Sequence, residues 1–164
     1  MRKWMKIVVA AVLPLVLLTA CDNHKSDAAT GYDTTPASNA KYLADYAAKP
    51  GVKKTASGLM YRVIRAGTGT SVQKGSDVVT VYYKGALIDG KVFDQTKPDE
   101  PAQFPSGALV PGWVEALKLM KTGDVWEIVL PAELGYGSEG AGDSIPPDQT
   151  LVFTMQLVKV EYAP

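Results

Sequence analysis

From Gly58 onward the chain is patterned in twos. In GLMYRVIRAG (58–67), Leu59, Tyr61 and Val63 alternate with Met60, Arg62 and Ile64 until the glycines at 67 and 69 end the run, which is the signature of a strand with two unlike faces. SDVVTVYYKGALI (76–88) is β-branched and aromatic and is followed by Asp89-Gly90, a turn signal. KVFDQT (91–96) reads as a shorter strand and PAQFP (101–105) as an extended piece bounded by prolines. DVWEIVLP (124–131) and TLVFTMQLVKVEY (150–162) are two further strands, the last long and alternating. The period becomes helical in ALVPGWVEALKLM (108–120): Pro111 occupies the first helical position, Trp113, Leu117 and Met120 share a face, and Gly123 suits a C′ cap. One helix among five strands predicts an α+β domain, with an antiparallel five-stranded sheet wrapped around that short helix.

Ahead of this domain the pattern changes twice. NAKYLADYAAKPG (39–51) places Tyr42, Leu43, Tyr46 and Ala47 on one helical face and stops at Pro50-Gly51. Residues 21–38 are polar, small and without period, the composition of a flexible tether. The first twenty residues carry Arg2, Lys3 and Lys6 and then an apolar run from Ile7 to Ala20. That run is shorter than the roughly 20 residues a membrane-spanning helix needs, and with its basic start it reads as a secretory signal. The expected organisation is therefore a signal peptide over 1–20, a tether over 21–38, a short helix and lead-in over 39–57, and the folded domain over 58–162.

Composition narrows the chemistry. The 164 residues are 46% hydrophobic and 21% charged, with 17 basic and 17 acidic side chains, an ordinary globular balance. Loss of residues 1–20 removes three bases and no acid, which leaves a net charge of −3 and argues against nucleic acid as a partner. The single histidine, His24, lies in the tether and the single cysteine is Cys21. A Cys/His metal site, a Ser-His-Asp or Cys-His nucleophile and an internal disulfide are all excluded, and no cofactor is expected. GYGSEG (135–140) matches G-x-G-x-x-G, but AGDSIPPDQT follows it where a dinucleotide site needs a helix. The match is accidental, and the segment is a loop.

Two resemblances sharpen the reading. Leu18-Thr19-Ala20-Cys21 resembles a bacterial lipobox, which implies cleavage before Cys21, lipidation of its sulfur and new amine, and stable membrane anchoring through several acyl chains. Asp22 resembles the inner-membrane retention signal of enteric bacteria; that rule varies among bacteria, so inner and outer membrane both stay open, with the domain facing the periplasm. The second resemblance covers Gly58 to Glu161. VYYKGALIDGKVFDQT (81–96), VPGWVEALKLMKTGD (110–124), IVLPAELGYG (128–137) and IPPDQTLVFTMQL (145–157) resemble, in order and spacing, the FKBP-type prolyl isomerases. The lead-in GVKKTASGLMYRVIRAGTG (51–69) is similar to the macrophage infectivity potentiator branch of that family. Those proteins carry a long helical dimerisation region ahead of the domain; only the short helix near Tyr42 is found here, so a monomer is expected.

The resemblance implies a proline pocket formed by Tyr83, Phe93, Asp94, Phe104, Leu109, Val110, Trp113, Tyr136, Ile145 and Phe153. In the family the helix-start tryptophan lies flat under the substrate proline, which makes Trp113 the floor. Asp94 is implied to hydrogen-bond Tyr83 at the rim, and the Val110 N–H and Tyr136 hydroxyl to hold substrate carbonyls. From pattern alone Tyr83, Phe93 and Phe153 read as core, Trp113 as a core anchor, and Asp94 as a turn residue or cap. Ala102, Ala141 and Ser144 depart from the family's usual rim residues, which leaves substrate preference and affinity for its macrolide inhibitors open. The implied activity is peptidyl-prolyl cis-trans isomerisation of exported polypeptides. The alternative is a non-catalytic, lipid-anchored chaperone or proline-binding module, and intact pocket aromatics favour the enzyme.

Overall fold

The computed structural model describes residues 30–164; Cys21, the lipobox and the signal segment lie outside the described residues. Helix α1 (Pro36–Ala47) is followed by strands β1 (Lys53–Lys54), β2 (Met60–Arg65), β3 (Val78–Leu87), β4 (Val92–Gln95) and β5 (Ala102–Pro105), helix α2 (Pro111–Leu119), β6 (Val125–Leu130), a single 3₁₀ turn (Ala132–Leu134) and β7 (Leu151–Glu161). All pairings are antiparallel, in the order β1-β2-β6-β7-β3-β4, with β5 also paired to β3. The sheet thus has seven strands rather than five. Lys53–Lys54 adds an edge, and the proline-bounded piece becomes a true strand because Phe104 pairs with Val79 and Ala102 with Val81.

The prolines and glycines account for several boundaries. Pro111 stands at the start of α2, where its missing N–H costs nothing. The helix leaves at Met120, whose backbone is extended (ψ 156°), so Gly123 is not its C′ cap. Gly123 (φ 97°) instead takes the left-handed third position of a turn closed by Asp124 N to Lys121 O at 2.9 Å. Helix α1 begins at Pro36, three residues before the helix read from the sequence, because Thr35 caps it by accepting the Ser38 N–H at 3.3 Å. Asp33 in turn accepts the N–H and the hydroxyl of Thr35 at 3.1 and 2.6 Å.

The two faces of the sheet are covered differently. The inner face packs on α2, where Leu59, Val79, Ala116, Leu117, Ile128 and Met155 are fully enclosed. Alternation turns Met60 and Val129 to the opposite face, where Tyr46, Tyr42 and Leu43 of α1 cover them. Tyr46 is 1% exposed and donates its hydroxyl to Glu127 at 3.0 Å, while Ala47 faces solvent. Burial pushes the Tyr46 phenol far above its ordinary range and that of Tyr42 up to about 12.

Candidate active site

Tyr83 projects from β3 on the same face as Gly85 and Leu87, Phe93 and Asp94 come from β4, Phe104 from β5, Phe153 from β7 and Trp113 from the first turn of α2. Alternation turns Tyr83 of β3 and Phe104 of β5 to one face, and the register shift between Gly85 and Ala86, which leaves Phe93 as an extra residue of β4, lets the consecutive Phe93 and Asp94 both reach the cleft; β4 and β5 flank β3 on one side and β7 on the other. Trp113 is 4% exposed. Three rings stand on edge to it: Tyr83 at 5.1 Å and 84°, Phe153 at 5.2 Å and 85°, and Phe104 at 6.4 Å and 88°. Phe93 meets Phe153 edge-on at 5.5 Å. An indole with perpendicular neighbours around it is a flat floor with upright walls, and edge-to-face contacts suit the aromatic quadrupole. The floor and walls enclose about 180 Å³.

Nine of the ten residues named from the sequence line this cavity: Tyr83, Phe93, Asp94, Phe104, Leu109, Val110, Trp113, Tyr136 and Phe153. Ile145 does not. Its N–H and carbonyl both bond Ala141, at 3.1 and 2.8 Å, and this closure of the loop tip leaves its side chain 5% exposed within the core cluster. The GYGSEG segment is indeed a loop, with no helix after it.

The lining side chains that carry oxygen are Tyr83, Asp94 and Tyr136. The Tyr83 hydroxyl donates to Asp94 at 2.5 Å, with Asp94 exposed. Burial, then that hydrogen bond and the Asp94 charge, raise the Tyr83 phenol well above its ordinary 10.0, so it is a neutral donor throughout the physiological range. Tyr136 is 41% exposed on the loop after β6. Val110 is the N-cap of α2, and its N–H therefore stands outside the helical ladder. No group of three or more His, Cys, Asp or Glu among the described residues is placed to hold a metal.

One residue the sequence reading passed over is Gly85, which pairs with both Phe153 and Asp94. A Cβ there would lie 2.6 Å from the Phe153 ring and 2.7 Å from the Phe93 ring. A glycine inside an otherwise β-branched strand was the available signal, since it marks close approach by a neighbour.

The family described as "FKBP-type peptidyl-prolyl cis-trans isomerase" matches residues 69–158. This chain belongs to that family. A second family, "Domain amino terminal to FKBP-type peptidyl-prolyl isomerase", matches residues 16–63, a stretch that includes α1. The chain is 48% identical over 130 residues to the FKBP-type 22 kDa peptidyl-prolyl cis-trans isomerase of Escherichia coli (strain K12), covering 79% of this chain and 63% of that one. It is 47% identical to the outer membrane protein MIP of Legionella longbeachae, covering 74% and 52%. The chain thus spans between half and two thirds of the length of these two relatives. Among solved structures, a peptidyl-prolyl cis-trans isomerase from Pseudomonas syringae superposes with a TM-score of 0.72 at 39% identity, covering 77% of this chain and 92% of that one. FkpA from Escherichia coli gives 0.73 at 44%, covering 78% and 60%.

Proposed function

We propose that the chain is a peptidyl-prolyl cis-trans isomerase acting on exported polypeptides from a lipid anchor at Cys21, facing the periplasm. The observation that carries the reading is the cleft itself: an apolar aromatic box with a neutral phenol and a carboxylate among its lining side chains.

Rotation about an X-Pro bond meets a barrier of about 18–20 kcal/mol because twisting destroys amide resonance, and takes tens to hundreds of seconds unaided. No bond breaks, so neither nucleophile nor metal is required. The site needs only to bind the twisted amide better than the planar one. Bringing the process to milliseconds takes about 7 kcal/mol of such preference, at 1.36 kcal/mol per decade. Resonance makes a planar amide strongly polar, and the twisted amide has lost that charge separation. A dry aromatic cavity therefore penalises the planar state more. In this reading the prolyl ring rests on Trp113 between Tyr83, Phe93, Val110 and Phe153. The Val110 N–H and Tyr136 hydroxyl hold the flanking carbonyls, and Asp94 fixes the orientation of Tyr83 without exchanging a proton with substrate.

The test is relaxation of a short Leu-Pro or Phe-Pro peptide from cis to trans. The protein is expected to accelerate it. Tyr136→Phe should lower kcat/KM about fivefold, the worth of one hydrogen bond, and Asp94→Val should lower it at least as much, both with unchanged thermal midpoints. A folded protein that accelerates no X-Pro peptide would leave a proline-binding module without catalysis.

A further inference from the structure

A buried amide connects α1 to the loop that brings Tyr136 to the cleft. Asn39, at the end of the first turn of α1, is 5% exposed, and its side chain is bonded at both ends. Its Nδ2 donates to the carbonyls of Thr34 (3.3 Å) and Thr35 (3.0 Å) and to Oε1 of Gln149 (3.3 Å), and its Oδ1 accepts the N–H of Thr150 at 2.8 Å. Gln149 returns a bond from Nε2 to Thr34 O at 3.1 Å and holds Pro147 O at 3.0 Å. Gln149 and Thr150 are 6% and 2% exposed, and they are the exit of the loop that follows β6. The next residue back, Asp148, has φ 59°, a conformation that persists in a non-glycine residue only when its surroundings hold it. Its N–H donates to Gly137 O at 2.9 Å, one peptide bond from Tyr136. A continuous path of hydrogen and peptide bonds therefore runs from Asn39 through Gln149, Asp148 and Gly137 to Tyr136.

Trp113 and Phe153 are held by the core regardless of α1. Tyr136 is the exposed aromatic of the cleft, and its placement depends on the loop. We propose that Asn39 is a positioning residue for the cleft: acting through Gln149 and Thr150, it fixes the exit of the loop and thereby the place of the Tyr136 hydroxyl. The N-terminal segment is then part of the working domain, not merely its leash. The kinetic side of this proposal rests on the isomerase reading; the structural side does not.

The test compares the full protein with Asn39→Ala, Asn39→Asp and Tyr46→Phe, measuring kcat and KM and the exchange rates of the Gly140, Ala141, Ile145 and Asp148 amides. Asn39→Ala should lower kcat/KM by up to about fivefold, the effect of losing the Tyr136 hydroxyl, mainly through KM, as expected when a contact group is misplaced, and the loop amides should exchange about tenfold faster. Asn39→Asp keeps the acceptor for Thr150 N–H but replaces the Nδ2 donor with a carboxylate oxygen facing the carbonyls of Thr34 and Thr35 and Oε1 of Gln149, so it should restore neither. Tyr46→Phe loosens α1 away from the loop and should move neither. If Asn39→Ala does not fold, Gln149→Ala replaces it, with the same expectations. Loop exchange within twofold of wild type, or equal acceleration in Tyr46→Phe, overturns the proposal. If the wild-type protein accelerates no peptide, the isomerase reading falls and loop exchange alone decides this one.

Discussion

Helices α2 and α1 lie on opposite faces of one sheet, and each presents aromatic rings to it. Around α2, Tyr83, Phe104 and Phe153 stand within 6° of perpendicular to the Trp113 indole or lean against each other at an angle, and the space between them stays open. On α1, Tyr42 and Tyr46 are near-parallel at 12° and 6.2 Å, and Tyr46 closes over Met60 and Val129 with its hydroxyl on Glu127. The same residue type thus gives a cleft on one face and a seal on the other. Ring orientation and the source of the rings make the difference. Four strands and a helix contribute to the cleft, so no one element can collapse to fill it, whereas the seal comes from successive turns of one helix.

Removing the floor has the largest expected effect. Trp113→Ala deletes a ring that is both core and cleft, and is expected to cost about 3–5 kcal/mol of stability and to abolish detectable acceleration of X-Pro relaxation, read by urea denaturation and the peptide assay together. A stable variant that retains activity would show that the floor is not where substrate binds.

Gly85→Ala probes the walls without touching a lining side chain. Its Cβ would sit 2.6 and 2.7 Å from the Phe153 and Phe93 rings, so one ring must shift. Overpacking of this kind costs roughly 1–3 kcal/mol, and kcat/KM should fall about tenfold, since a shifted wall closes on the prolyl site. On the sealed face, Tyr46→Phe removes only the hydroxyl bond to Glu127. A loss of about 1 kcal/mol with unchanged kcat/KM is expected, and any kinetic effect would mean that the two faces are coupled through the sheet.

Much of this was legible in the sequence, and each gap has a physical cause. Alternation exposed β2, β3, β4, β6 and β7 because one face of each is core; β5 was missed as a strand because its flanking prolines read as punctuation. Pro111 marked the start of α2, but Leu109, Val110 and Trp113 were assigned to the pocket by the family resemblance and not by pattern. Ile145, named from the resemblance, sits in the core beside the cavity, because the loop tip is folded by backbone bonds between Ala141 and Ile145, which no side-chain pattern encodes. Asn39 escaped because its partners include backbone more than a hundred residues away, whereas Gly85 was signalled, as a glycine inside a β-branched strand. Pattern reports which face a residue takes, and not which distant backbone it meets.

The smallest expected effect concerns pH, and it separates the two regions by their charges. Around α1 the titrating groups are paired: the Asp33 carboxyl is lowered by the side chains of Ser38 and Thr35, and the Asp45 carboxyl by Lys41 and then Tyr32. A carboxyl lowered in the folded state contributes stability above its ordinary pKa of 3.8 and loses it as pH falls through the folded value. These sites are exposed, so the contribution is small, and Asp77, held low by the N–H groups of Lys74, Gln73 and Ala163, adds to the same acid limb. In the cleft, Tyr83 is shifted upward, so the stability of its neutral form is complete below pH 10 and declines only above it. Stability should therefore fall on the acid side below about pH 4, while kcat/KM of the folded protein stays level within about twofold from pH 6 to 9, because the mechanism moves no proton. Urea midpoints extended below pH 4 and peptide relaxation from pH 6 to 9 test the two halves, and a bell-shaped kcat/KM profile would place a titrating group in the catalytic step and overturn the reading of the cleft as a purely apolar device.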